Sequence, residues 1–170
     1  MEFREVIQKR YSCKKFSDRK PEADKITAVL EAGRLAPTAK NNQEVHVYVV
    51  QSEEMLAKID SVTPCRYGAP VVLAVTYDKN NVFVYPGEAQ DSGMEDASIV
   101  ATHLILAAAD EGLDSCWLNF FDPARLKEVL DLPENEQGVL LMDLGYAAEG
   151  GGPLPNHSKR KDLSETVAYL

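Results

Sequence analysis

Two short stretches carry most of the polar chemistry in this chain. From Thr38 to Gln43, a hydroxyl, an ammonium and three carboxamides fall within six residues. They offer donors and acceptors in several directions, which suits a polar ligand held at the mouth of a sheet. The other stretch is Arg10-Tyr11-Ser12-Cys13-Lys14-Lys15, where cations surround a hydroxyl and an aromatic ring. Arginine and lysine beside a serine are the donors a phosphate clamp uses. Each stretch also has an ordinary reading: the first as a surface helix-to-strand loop, the second as a solvated helix end where the dipole favours cations.

Reactive side chains are sparse elsewhere. His46, His103 and His157 show no metal-ligand spacing, so no metal is expected. Cys13, Cys65 and Cys116 are odd in number and far apart, which leaves no disulfide framework. Cys116 lies in apolar sequence, where a free cysteine behaves as a small hydrophobe. There is no nucleophile elbow, P-loop or dinucleotide fingerprint. No catalytic side chain is therefore assigned, and an enzyme of this sequence would place its chemistry on a bound cofactor.

The elements that must position these stretches follow from periodicity. Phe3, Val6 and Ile7 share one face of a short helix that ends in the basic stretch. Pro21 to Leu35 reads as a second helix, with Ile26, Val29, Leu30 and Leu35 on its apolar side, and Pro37 stops it. Val45 to Gln51 is a strand and Ser52 caps a helix to about Ser61. Ala69 to Tyr77 is apolar throughout, as in a central strand covered on both faces. Asp78 to Gly93 is a long polar and aromatic excursion, the kind that covers a site or an interface. Glu95 to Gly112 is a helix apolar almost all the way round, hence buried. Leu113 to Phe121 is a strand that turns, Asp122 caps a helix to Leu130, and Gly138 to Gly145 is a further strand. After Gly150-Gly151-Gly152-Pro153 the tail carries Lys159-Arg160-Lys161.

With 170 residues, 45% hydrophobic and 26% charged, the chain is expected to form one domain over 1–170. A net charge of −9 argues against nucleic acid or an anionic membrane as partner, so an anionic ligand requires a local basic cluster. The N-terminus lacks a signal-peptide profile and no apolar run reaches membrane-spanning length, which points to the cytoplasm.

In their order and spacing, Arg10 to Lys14, Pro37 to Gln43, Gly112 to Phe120 and the basic tail resemble the FMN-dependent nitroreductase family in its short form. The resemblance covers essentially the whole chain. It implies an α+β sandwich, a mostly antiparallel sheet wrapped by helices, in an intertwined homodimer with FMN at the subunit interface. It also implies that the tail, about 150–170, is exchanged with the partner subunit and adds a strand to its sheet. Arg10, Ser12 and Lys14 match the basic motif that holds the FMN phosphate and ribityl chain, with Tyr11 in place of a common second arginine. Pro37, Thr38, Ala39, Asn41 and Gln43 match the loop at the flavin edge, Asn41 facing the ring. Trp117, Leu118, Asn119 and Phe120 match the strand along the ring, where Phe120 could narrow the substrate pocket. Arg160 matches a phosphate-binding arginine; Ser158 replaces a common lysine, with Lys159 or Lys161 as compensating cations. The implied function is an NAD(P)H oxidoreductase that passes electrons by a ping-pong mechanism to nitroaromatic, quinone or similar small molecules, with NADH or NADPH as donor. The alternatives are an FMN carrier or sensor without turnover, and a specialised reduced-flavin enzyme.

Overall fold

An apolar strand that cannot face water on either side sets the architecture. A computed structural model describes all 170 residues. In chain order the elements are α1 (Phe3–Lys9), α2 (Ala23–Arg34), β1 (Val45–Val50), α3 (Glu53–Asp60), β2 (Val71–Asp78), α4 (Gly93–Asp110), β3 (Asp114–Leu118), α5 (Pro123–Leu130) and β4 (Glu136–Gly145). Single 3-10 turns lie at Ala39–Asn41 and Leu163–Glu165. The sheet order is β1-β2-β4-β3 and every pairing is antiparallel. The expected α+β sandwich with an antiparallel sheet is what the chain forms.

Local signals explain the element ends. The Ser52 hydroxyl accepts from the Met55 amide, and the Asp122 carboxylate accepts from Ala124 and Arg125 with Pro123 in the first turn. Gly112, at φ +74°, turns the chain out of α4, a conformation cheap only for glycine.

Strand alternation sorts the side chains into two cores. Val71, Leu73 and Val75 of β2 pair with Leu144, Met142 and Leu140 of β4, and this face packs on α2 and α4 through Val29, Ala97, Leu104 and Ala108. Val72, Ala74 and Leu141 face the other way, with Cys116, Leu118, Leu56, Ile59 and Leu126 against α3 and α5. Burying β2 from Val71 to Tyr77 therefore needs helices on both sides.

The single chain leaves three expected core positions in the open. On α1 only Val6 is buried, while Phe3 and Ile7 are exposed, and Leu35 lies just beyond α2 with its side chain outside the core. Nor is α4 covered all round. It is buried along Ala97, Ala101, Leu104 and Ala108, but Met94 is exposed and Ile99 and Leu106 are only half-buried. One layer of neighbours can cover only part of a helix's circumference, so an all-round apolar sequence leaves a stripe uncovered in one chain.

Two polar or steric features hold the sheet to its surroundings. Glu136 is buried and accepts hydrogen bonds from Thr76 Oγ1 (2.7 Å) and Tyr48 Oη (2.8 Å), with His46 Nδ1 at 2.6 Å. Burial pushes its carboxyl up, but these bonds outweigh burial and hold it below the ordinary range. At the start of α4, a Cβ on Gly93 would lie 2.2 Å from the Tyr77 ring, so the helix can reach the sheet only with glycine there.

Replacing Gly93 with alanine should cost about 1–3 kcal/mol, read by urea denaturation, because the buried Tyr77 ring must move. For Glu136 the folded pKa lies below the unfolded one. The folded state then binds fewer protons, and the stabilisation is present above the unfolded pKa and lost as pH falls. Glu136→Gln should cost about 1–2 kcal/mol at neutral pH and flatten the fall in stability between about pH 5 and pH 3. An unchanged acid limb would contradict this assignment.

Candidate functional site

After α1 the basic stretch runs beside β3. The Cys13 amide donates to the Ser115 carbonyl at 2.9 Å, and Ser12 bridges Ser115 in parallel. Extended backbone sends alternate side chains to opposite faces, so the buried Cys13 anchors the stretch while Ser12 and Lys14 turn outward. Lys14 Nζ lies 5.7 Å from the Tyr67 ring centroid, and Lys15 Nζ donates to the Glu149 carbonyl at 2.9 Å. The tail returns to the same place: the His157 ring meets Tyr11 edge-on with centroids 6.4 Å apart. Arg160 Nη1 donates to the carbonyls of His157 and Lys159. The result is a cleft of about 330 Å³ lined by Ser12, Lys14, Leu154, Asn156, His157 and Arg160.

Arg10 and Tyr11 border a smaller neighbouring recess with Asp114. Burial and then Asp114 push the Tyr11 phenol up, so it stays a neutral donor. Lys159 and Lys161 are exposed and outside the lining of the larger cleft. Of the three tail cations, Arg160 is the one at the cleft.

At the far end of β3, Trp117 Nε1 donates to Asn119 Oδ1 at 2.7 Å. Leu118 is buried in the core, so only its backbone is available to a ligand. Phe120 is 72% exposed, and in the single chain it narrows nothing. Its carbonyl accepts from Thr63 Oγ1 at 2.6 Å, and the same hydroxyl accepts from the Cys65 amide at 3.1 Å. The segment Thr63 to Tyr67 thus pins the β3 end and places a ring under Lys14. Sequence periodicity passes over this segment, because its residues belong to no helix or strand. The left-handed φ values of Tyr67 and Gly68 show how sharply it turns. Cys116 is buried, and burial, with Asp143 next in weight, pushes its thiol up to about 12, consistent with an inert core cysteine. Asp143 is also buried; burial pushes it up to about 9, which keeps it a neutral acid.

The 37–43 loop lies elsewhere. It leads into β1, at the opposite edge of the sheet from the Ser12–Lys14 stretch, across four strand spacings or about 19 Å. Thr38 Oγ1 accepts from the Gln43 amide at 3.0 Å, and the Ala39 amide donates to Asp96 Oδ1 at 3.0 Å. Asn42 and Asn81 exchange side-chain-to-carbonyl bonds of 2.7 and 2.9 Å. Lys40 Nζ lies 4.7 Å from the Phe83 ring centroid, so the 78–92 excursion is docked on this loop. The Pro37, Asn41 and Gln43 side chains are exposed. Thr38 and Gln43 border a cavity of about 400 Å³ with Leu30, Gly33, Val45, Val47 and Val100. One chain therefore gathers Ser12, Lys14 and Arg160 but does not bring Pro37, Thr38, Ala39, Asn41 or Gln43 to them.

Comparison with known proteins agrees with this geometry at the level of the fold. The model of the Nitroreductase family matches residues 7–63 and 64–146. A Methanothermobacter thermautotrophicus protein, provisionally named an NADH dehydrogenase/NAD(P)H nitroreductase, is 30% identical over 161 residues, covering 89% of this chain and 81% of the relative. The crystal structure of a nitroreductase family protein from Clostridium difficile 630 is 35% identical, with a TM-score of 0.92 over 99% of this chain and 98% of that one. A protein from Exiguobacterium sibiricum, provisionally described as a nitroreductase and solved with FMN, shares the fold at 19% identity, with a TM-score of 0.85 over 100% of this chain and 98% of that one. With the family model matching most of the chain and relatives at 30% and 35% identity in agreement, the chain belongs to the nitroreductase family.

Proposed function

We propose that this protein is an FMN-dependent NAD(P)H oxidoreductase that passes electrons by a ping-pong mechanism to nitroaromatic, quinone or similar electron-poor molecules. The observation that carries the reading is the cleft where Ser12, Lys14 and Arg160 converge in a chain of net charge −9. Two cations and a hydroxyl within one concave site fit a phosphate, and Asn156 and His157 add polar groups beside it. In this reading Ser12, Lys14 and Arg160 hold the phosphate and ribityl end, with Arg10 and Tyr11 on the adjoining recess. The β3 end, Trp117 to Phe120, presents backbone along the ring, kept rigid by buried Leu118 and by the Thr63 bond to Phe120. When bound, FMN supplies the two-electron chemistry between a nicotinamide donor and the acceptor. Lys14 at the polar edge would favour electron uptake by its positive charge.

The same reading takes the protein as a homodimer. Pro37, Thr38, Ala39, Asn41 and Gln43 lie too far from the basic cleft to share one ligand within a chain, so they would complete the partner's site. Exposed Phe3, Ile7 and Met94, the open edge of β1 and a tail with exposed Leu163, Val167, Tyr169 and Leu170 support a partner copy. Exposed apolar surface of this extent marks interaction sites. No helix is long and apolar enough to cross a membrane, and a soluble cytoplasmic enzyme is part of the proposal.

The visible spectrum of the purified protein tests the reading. A bound flavin band is expected, bleached by NADH or NADPH and restored by a nitro compound. A colourless protein that takes up no FMN would overturn it, whereas flavin that neither nucleotide bleaches would favour a carrier or sensor. Arg160→Ala should weaken FMN binding by about 10- to 100-fold, the loss of a charge-assisted hydrogen bond. Removing residues 154–170 should shift the protein from dimer to monomer in analytical ultracentrifugation.

A further inference from the structure

Directly after the 38–43 loop the chain buries a carboxyl against another carboxyl. Glu44 is 1% exposed and Asp96, in the first turn of α4, is 2% exposed. Asp96 Oδ1 accepts the Ala39 amide at 3.0 Å, and Glu44 Oε1 lies 3.5 Å from the Ser92 hydroxyl. The remaining oxygens, Glu44 Oε2 and Asp96 Oδ2, are both buried without a donor. Two ionised carboxylates are acceptors only and cannot satisfy each other, but one proton between them gives both a partner. Lys40, Asn41 and Gln43 meanwhile hold left-handed φ of 54°, 57° and 54°. Three non-glycine residues of that kind within four positions persist only where the surroundings enforce them. The Ala39 bond to Asp96 is one such restraint, and the Asn42–Asn81 pair and the Lys40–Phe83 contact are others from outside the loop.

We propose that Glu44 and Asp96 share one proton, and that this proton locks the 38–43 loop in its strained shape, making Glu44 a positioning residue for FMN. The consequence for FMN rests on the function proposed above; the lock itself rests on the loop geometry. Burial first, and the hydrogen bond with Asp96 second, raise the Glu44 carboxyl to about 7. Ionisable groups on the adjoining elements are Tyr77 and Asp78 at the end of β2, Asp91 just before α4, Glu95 in its first turn, and Lys40 in the loop. Since the folded state holds the Glu44 proton to higher pH than the unfolded chain, the lock is intact at low pH and lost as pH rises through neutrality. Above that point two buried negative charges repel, and the Ala39 anchor is displaced with Asp96.

The experiment follows the Ala39 amide and the Glu44 carboxyl by NMR in the flavin-free protein from about pH 5.5 to 8.5. Flavin-fluorescence quenching measures FMN affinity over the same range. The wild type should show one titration step shared by both groups, and FMN affinity should weaken about tenfold across it, the effect of one pKa unit. Glu44→Gln keeps the shape and supplies a permanent donor to Asp96. It should abolish the Ala39 step and bind FMN at high pH within about twofold of the wild type at low pH. Ionisation of the FMN phosphate is common to both proteins and cancels in the comparison. An Ala39 amide that does not titrate, or that titrates equally in Glu44→Gln, would overturn the lock. Equal pH dependence of FMN affinity in the two proteins would overturn its link to the cofactor. If the wild type binds no FMN at any pH, the flavin reading falls and takes that link with it, while the Ala39 titration still decides whether the lock exists.

Discussion

The fold depends on burying β2 on both faces. Seven consecutive residues, Val71 to Tyr77, are removed from water, and no single layer of helices can do that. One layer, α2 and α4, covers Val71, Leu73 and Val75; the other, α3 and α5 with the Val62 to Ala69 connection, covers Val72 and Ala74. The candidate site residues lie around the sheet's two edges, because the middle is fully used by packing. The basic cleft lies beyond β3 and the polar loop precedes β1.

That division gives the candidate site its character. Neither half is built from reactive side chains; one offers charge and hydroxyl donors, the other backbone amides and carboxamides. Cys116 and Asp143, the groups that could have been mistaken for catalysts, are buried and held in their neutral forms by that burial. Such an arrangement can bind and orient, and in the proposed function it leaves electron transfer to what it binds. The polar loop is also the part of the chain where backbone strain accumulates, and it is held by the buried Asp96 and by Asn81 rather than by secondary structure.

Much of the fold was legible from residue pattern alone. Alternation and apolar runs located all four strands, and caps at Ser52 and Asp122 and the stop at Gly112 marked helix ends, because these signals are local. Less legible was which apolar residues one chain covers. Phe3, Ile7 and Leu35 read as core from periodicity, yet they are open here, since periodicity reports a face and not what packs on it. Within the candidate site, Ser12 and Lys14 stood out by residue type, and Arg160 through the family resemblance. Thr63 and Tyr67 did not, because their role is to support a strand end and Lys14 through space, across about 50 residues of chain in both cases.

By itself the sequence determined the element order and the two polar stretches, which depend on residue type and near-neighbour spacing, and the class of the fold through its resemblance to a family. Only the tertiary structure decided that Arg160 reaches Ser12 and Lys14 while the 37–43 loop stands at the other edge of the sheet. It also decided that Glu44, an ordinary acidic residue on the page, is buried against Asp96. The physical reason is the same in each case. Proximity across a sheet and removal from water are set by long-range packing, and spacing along the chain does not encode them residue by residue.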